Sequence, residues 1–350
     1  METEVKREDG KVWIEGVKGF SPADYADSVH GCQARILQVV GESLSYEDLV
    51  CYSGFAFRVG VNEDMCPSAG HPCCGFVCLD NGFRALPWKV KLYESMPEQK
   101  RGKKEQAAFE AEACGAIRDS IQRGVPVHYG SEEDGLIIGC AEKGRRWWCV
   151  HPYHKWGAEP FWHDEVKGFA GGKWPWGIVV WTEAKPPDER VADDELTLAA
   201  LRQAARMWHE EQCQAYFCGD AAYEHWLNWL RGVDAGEVDE PEAGMQGNGW
   251  CLDVLTHCRP IAAAWLKGKA PLFGDEAGRH LLAAAEHYAA LSELCMEGLD
   301  CSWSLALPPD KSAQWTPAMR EEQIKRLEGA REHDRAAVAE IENALDDVGE

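Results

Sequence analysis

The sequence predicts an α+β domain followed by an all-helical one. Three observations predict it. Residues 28–40 and 103–123 carry apolar side chains at helical spacing. From residue 125 to 182 the pattern becomes that of short strands. Beyond the break Lys185-Pro186-Pro187-Asp188-Glu189-Arg190 it is helical throughout. The expected domains are therefore residues 1–185 and 186–350, and 350 residues suffice for both. A hydrophobic share of 45% and a charged share of 27% exclude a disordered chain.

Taken in order, residues 28–40 put Cys32, Ile36 and Leu37 on one helical face, and Gly41 is a candidate C-cap. Ser45 and Asp48 form a capping-box-like pair at the start of a second short helix. Residues 103–123 read as an amphipathic helix, with Phe109, Ala113, Ile117 and Ile121 among its apolar positions. Gly124-Val125-Pro126 ends it. Strands are expected at 125–129, 135–140, 146–151 and 177–182. Glu142-Lys143-Gly144 turns the middle two into a hairpin. The unbroken run Leu136-Ile137-Ile138 marks a central strand. In the second half, helices are expected near 193–212, 215–231, 248–267, 275–297 and 316–345.

Charge narrows the function classes. The net charge is −23. Residues 1–185 hold 22 basic and 27 acidic side chains, whereas residues 186–350 hold 14 and 32. Such a surface repels phosphates, so no nucleic-acid partner is expected. The charged N-terminus lacks the apolar core of a signal peptide, and no apolar run reaches membrane-spanning length. A cytoplasmic protein with no membrane partner is the expectation. Its 15 cysteines, an odd number, are then reduced thiols and mostly small core residues. The acidic helical half is a candidate docking or homodimerisation surface.

Several runs are familiar. They are Ser28-Val29-His30-Gly31-Cys32-Gln33-Ala34-Arg35-Ile36-Leu37, then Leu44-Ser45-Tyr46-Glu47-Asp48-Leu49, then Ser53-Gly54-Phe55-Ala56-Phe57-Arg58. They resemble butirosin biosynthesis protein H-like domains, relatives of the papain-like cysteine peptidases. The stretch from Gly124 through Gly139 to Val150-His151-Pro152-Tyr153 is similar to the later strands of that family. The resemblance implies a papain-like domain, in which a helix bearing Cys32 packs on an antiparallel sheet, and a helical companion. It also implies a nucleophilic Cys32 served by a His and an Asp from the sheet. This chain departs from that pattern. Glu133-Asp134-Gly135 stands where active relatives place the His, and His151-Pro152 stands in place of their Asp-Pro pair.

The candidate catalytic residues follow. A thiol at a helix N-terminus is stabilised as thiolate by the macrodipole and unpaired N–H groups, which can also hold an oxyanion. Cys32 needs a base, and His151, His128 and, with awkward geometry two residues away, His30 are the candidates, with Asp134 or Glu133 to orient the imidazole. The bland alternative makes each of them structural. Trp148, Tyr153, Trp156, Trp162 and Trp176 belong to an aromatic-rich stretch that reads either as packing or as the wall of a substrate pocket. Cys66, His71, Cys73, Cys74 and Cys78 are zinc-type ligands, but their spacing fits no standard pattern. A thiol-rich loop is expected there, with no metal and no cofactor. No phosphate loop, dinucleotide fingerprint or Gly-x-Ser-x-Gly elbow occurs. The expectation is a thiol-dependent acyl or amide transferase or hydrolase acting on a small molecule or peptide. Its alternative is a catalytically inactive domain that binds such a ligand.

Overall fold

A computed structural model describes residues 2–75, 78–95, 101–130, 133–155, 159–163, 174–306 and 315–349. The first elements are β1 (Glu4–Glu8), β2 (Lys11–Glu15), α1 (Ser28–Val40), α2 (Tyr46–Tyr52), β3 (Gly60–Asn62), α3 (Leu79–Ala85), β4 (Trp88–Glu94) and α4 (Lys103–Gln122). Strands β5 (Val127–Gly130), β6 (Asp134–Ala141), β7 (Arg146–Val150), β8 (Phe161–His163) and β9 (Gly177–Ala184) follow. The remainder comprises α5 (Asp193–His209), β10 (Gln212–Cys213), β11 (Tyr216–Cys218), α6 (Gly219–Ala235), α7 (Pro241–Lys269), α8 (Asp275–Met296), α9 (Trp303–Ala306) and α10 (Pro317–Asp347). The chain is thus α+β with an antiparallel sheet and a helical C-terminal region. None of its described helices is long and apolar enough to cross a membrane.

Two compact units emerge: Met1–Tyr46 with Leu86–Arg190, and Glu47–Ala85 with Val191–Glu350. The expected cut at 185/186 left residues 47–85 in the first domain, yet they pack with the helices. The cause is a buried charge. The Arg259 guanidinium, fully enclosed, donates to the carbonyls of Ala56 (2.6 Å) and Phe57 (3.2 Å). Strand β3 also pairs with β11, and Val59, Val61 and Met65 join the core around Trp226. A two-way division by sequence order cannot anticipate such a return of the chain.

The sheet of the first unit is antiparallel throughout. Strand β6 is its centre, and all eight of its residues are buried. One edge of β6 carries β5 at its start and β2 near its end, and the other edge carries β7. Beyond β5 lie β9 and β4, beyond β2 lies β1, and β8 pairs with β7. Both faces of β6 are covered, so an unbroken apolar run suits it. The β1–β2 hairpin turns on Asp9 and Gly10, both left-handed (φ 48° and 74°), as a two-residue turn between right-twisted strands requires.

In the second unit polar groups tie the helices together. Arg259 of α7 is bidentate to Asp334 of α10 at 2.7 and 2.8 Å, and the Tyr223 hydroxyl of α6 donates to the same carboxylate at 2.6 Å. Asn248 of α7 accepts from the Trp226 indole at 2.6 Å and exchanges hydrogen bonds with Gln323 of α10. Burying such groups is tolerable only because they satisfy one another. Removing one partner should therefore be costly. Asp334→Ala is expected to lower the unfolding free energy by about 3–5 kcal/mol, read from urea denaturation. A loss below about 1 kcal/mol would contradict this account of the core.

Candidate functional site

The head of α1 is built from two adjacent polar residues. Asp27 is the N-cap: its Oδ1 accepts the His30 N–H at 2.8 Å, and its C=O accepts the Gly31 N–H at 3.3 Å. Its Oδ2 bonds the His30 ring at Nδ1 (2.9 Å) and accepts from the Tyr46 hydroxyl (3.2 Å). Ser28, the first helical residue, donates to Glu133 Oε2 at 2.6 Å and accepts the Asp134 N–H at 3.0 Å. These bonds fasten the start of α1 to the corner that opens β6.

The β5–β6 register brings His128 and Asp134 to one face. Gly130 stands opposite Asp134 and His128 opposite Leu136, so the two side chains point the same way and meet. His128 Nε2 hydrogen-bonds Asp134 Oδ2, and His128 Nδ1 is buried without a hydrogen-bond partner. Both residues are buried. The His151 ring stacks beside Tyr129, centroids 6.4 Å apart. Burial lowers its pKa to about 4, against the opposing pull of the Asp134 charge and the Glu133 backbone. Asp134 thus stands among all the proposed catalytic groups: it binds His128, follows Glu133, and acts electrostatically on His151 and Cys32.

Cys32 departs from the sequence expectation. It is the fifth residue of α1, one turn beyond the unpaired N–H groups, and its exposure is 0%. Burial pushes its thiol well above the ordinary range, and the charges of Asp134, Asp27 and Glu133 push it further, opposed only weakly by Arg35. A thiolate there would stand among three carboxylates in a dry setting. No imidazole hydrogen-bonds its sulfur among the described residues. Gly31 explains part of the seal. A Cβ there would lie 2.8 Å from the Tyr25 ring and 3.1 Å from Phe20, so glycine lets both rings close over the helix. The remaining cleft, between Tyr25, Asp27, Ser28, Pro152 and Tyr153, holds about 10 Å³, roughly one water.

No protein-family model matches this chain, and no curated protein matches it.

The aromatic candidates disperse. Trp148 and Trp162 pair across β7 and β8, with ring centroids 5.1 Å apart. Tyr153 sits instead at the α1 cleft, and Trp176 precedes β9, where its carbonyl accepts the Ser95 N–H. Trp156 lies outside the described residues. Trp147 and Trp181 are sealed in the core and serve packing. The cysteine-rich loop belongs to the other unit. Arg58 holds it by donating to the carbonyls of Ala69 (2.7 Å), His71 (3.0 Å) and Cys74 (2.7 Å). Cys66, His71, Cys73, Cys74 and Cys78 do not converge on one point; among the described residues only Glu276, His280 and Asp347 do.

Sequence reasoning overlooked Asp27 and Ser28. Asp27 had a signal, since an acidic residue directly before a helical pattern is an N-cap candidate. Ser28 had none, because its partners Glu133 and Asp134 lie more than a hundred residues away.

Two outcomes are expected. In the native protein, iodoacetamide should modify the exposed Cys73 and Cys301 and leave Cys32 unmodified until urea unfolds the chain; peptide mass mapping reads this, and early labelling at Cys32 contradicts the seal. His151 should give a pH slope. Its folded pKa lies below the ordinary 6.5, so the unfolded chain takes up the proton first. Stability is complete above pH 6.5 and falls as pH drops toward 4, by on the order of 3 kcal/mol from this group. Urea melts of His151→Phe should lack that share; an unchanged slope would refute it.

Proposed function

We propose that the first unit is a papain-like domain without a working nucleophile, and that the protein binds a small metabolite or peptide without transforming it. The observation that carries this reading is the state of Cys32. Its sulfur is enclosed, hydrogen-bonded by no base among the described residues, and surrounded by carboxylates that oppose ionisation. A nucleophilic cysteine needs the reverse: access, a positive environment and an imidazole at hand.

One observation favours the thiol-dependent transferase or hydrolase as a second reading. His128 is oriented by Asp134 through Nε2 and keeps Nδ1 uncommitted, as a base awaiting a proton would. In that reading Tyr25 and Tyr153 swing away, Nδ1 of His128 takes the Cys32 proton, the sulfur attacks a carbonyl, and the bond to the leaving group breaks as the imidazolium returns that proton to it, leaving a thioester on Cys32.

Acyl-thioester and vinyl-sulfone probes separate the two. Under the binding reading, intact-mass spectrometry finds no adduct on Cys32 after prolonged incubation at pH 7–9. The variant Cys32→Ala melts close to wild type, with a loss of about 1–2 kcal/mol for a small buried side chain. An adduct on Cys32 that His128→Ala abolishes would establish the enzyme and remove the binding reading.

A further inference from the structure

Away from the Cys32 corner, the register of four strands lines up three indoles. Trp13 of β2 stands opposite Gly139 of β6, Gly139 opposite Trp148 of β7, and Trp148 opposite Trp162 of β8. Directly opposed residues of antiparallel strands project from the same face. Trp13, Trp148 and Trp162 therefore form one row, and the row has a gap where Gly139 contributes no side chain. Two strand spacings separate the backbones of Trp13 and Trp148, about 9.6 Å. That leaves room for one flat ring between two indole faces. A Cβ on Gly139 would lie 2.6 Å from the Trp13 Cβ and 2.9 Å from the Val12 carbonyl, so no other residue fits this floor.

A cavity meets all three indoles of the row. It measures about 290 Å³ and is lined by Trp13, Trp148, Trp162, Glu8, Asp9 and Lys11. None of the three indoles is sealed in the core. The Trp148–Trp162 contact, with centroids 5.1 Å apart and planes inclined at 44°, braces Trp148. Trp162 is in turn held by the Arg146 guanidinium, 4.8 Å from its ring centre, and by the Lys11 ammonium at 5.7 Å. The walls are thus positioned before any ligand arrives.

Charge selects the ligand class. Two cations already occupy the Trp162 face, so a quaternary ammonium, which such rings otherwise attract, meets like charge. Glu8, Asp9 and the net charge of −23 disfavour an anion. A neutral ring remains. The rim supplies acceptors at Glu8 and Asp9 and a donor at Lys11, which suit hydroxyl groups around the edge of a ring whose faces are apolar.

We propose that the slot between Trp13 and Trp148 is a binding site for one neutral pyranose ring of a carbohydrate. The site lies five residues along β6 from Asp134, roughly 17 Å away, and involves no thiol. Its failure would leave the reading of Cys32 intact, and an active Cys32 would leave this site intact.

The test is titration of the full chain with neutral probes: glucose, galactose, N-acetylglucosamine and their linear oligomers, followed by tryptophan fluorescence and indole N–H chemical shifts. Tetramethylammonium and adenosine are titrated alongside. Saturable binding of at least one neutral saccharide is expected, with shifts at the Trp13 and Trp148 indoles. Trp13→Ala and Trp148→Ala should each weaken it at least about tenfold, and Trp148→Phe, which keeps a stacking face, should weaken it less. Circular dichroism confirms that the variants are folded; should one not fold, the indole shifts of the unaltered protein locate the site by themselves. The proposal is overturned if no saccharide binds at about 10 mM, if binding leaves those two indoles unshifted, or if tetramethylammonium or adenosine binds more tightly than every saccharide.

Discussion

The hydrogen bonds between Ser28 and the Glu133–Asp134 corner fix α1 on the β5–β6 hairpin, and the geometry of the candidate site follows from them. One hydroxyl serves as donor to a side chain and acceptor from a backbone N–H, which locks the helix start against the strand start. The Asp134 side chain, freed from capping the helix, turns to His128 instead. Asp27 takes over the cap and gathers His30 and Tyr46. A helix head, a hairpin and two buried histidines are organised by three carboxylates in a small volume. Their negative charge sets the electrostatic character of everything nearby.

That character decides the fate of Cys32. A helix N-terminus favours a thiolate only within its first turn, where N–H groups lack partners. Here those groups belong to the residues ahead of Cys32, and the Asp27 side chain already satisfies that of His30. At the fifth position the macrodipole is weak against desolvation and three carboxylates, so the neutral thiol wins. His151 shows the same dominance of burial, and its pKa falls although Asp134 pulls the other way. Burial in this unit disfavours the charged forms of Cys32 and His151, while His128 and Asp134 are hydrogen-bonded to each other.

The second unit solves a related problem. Arg259 lies at its centre with no exposed surface, which a guanidinium tolerates only when its donors are met. Asp334 and the carbonyls of residues 56 and 57 meet them. The same bonds draw the segment around residues 55–58 into the helical unit. Buried polar chemistry thereby sets the boundary between the two units, which composition and proline content alone had placed at residue 185.

Local pattern determined much of this protein. Helix α1 spans the residues its periodicity and Gly41 indicate, and that glycine is left-handed at φ 77°. The Glu142-Lys143-Gly144 hairpin, the buried run of β6 and the five long helices of the second half all arise from neighbours in sequence. The Asp9-Gly10 hairpin has its signal in the turn residues, but the charged flanks obscure the strands on either side. What tertiary structure alone decided were the encounters: Ser28 with Glu133, His128 with Asp134, Arg259 with residues 56 and 57, and three tryptophans aligned across a glycine. Spacing along a chain specifies which face a residue occupies. It does not specify which strand arrives beside it, and charge, burial and register act only after that arrival.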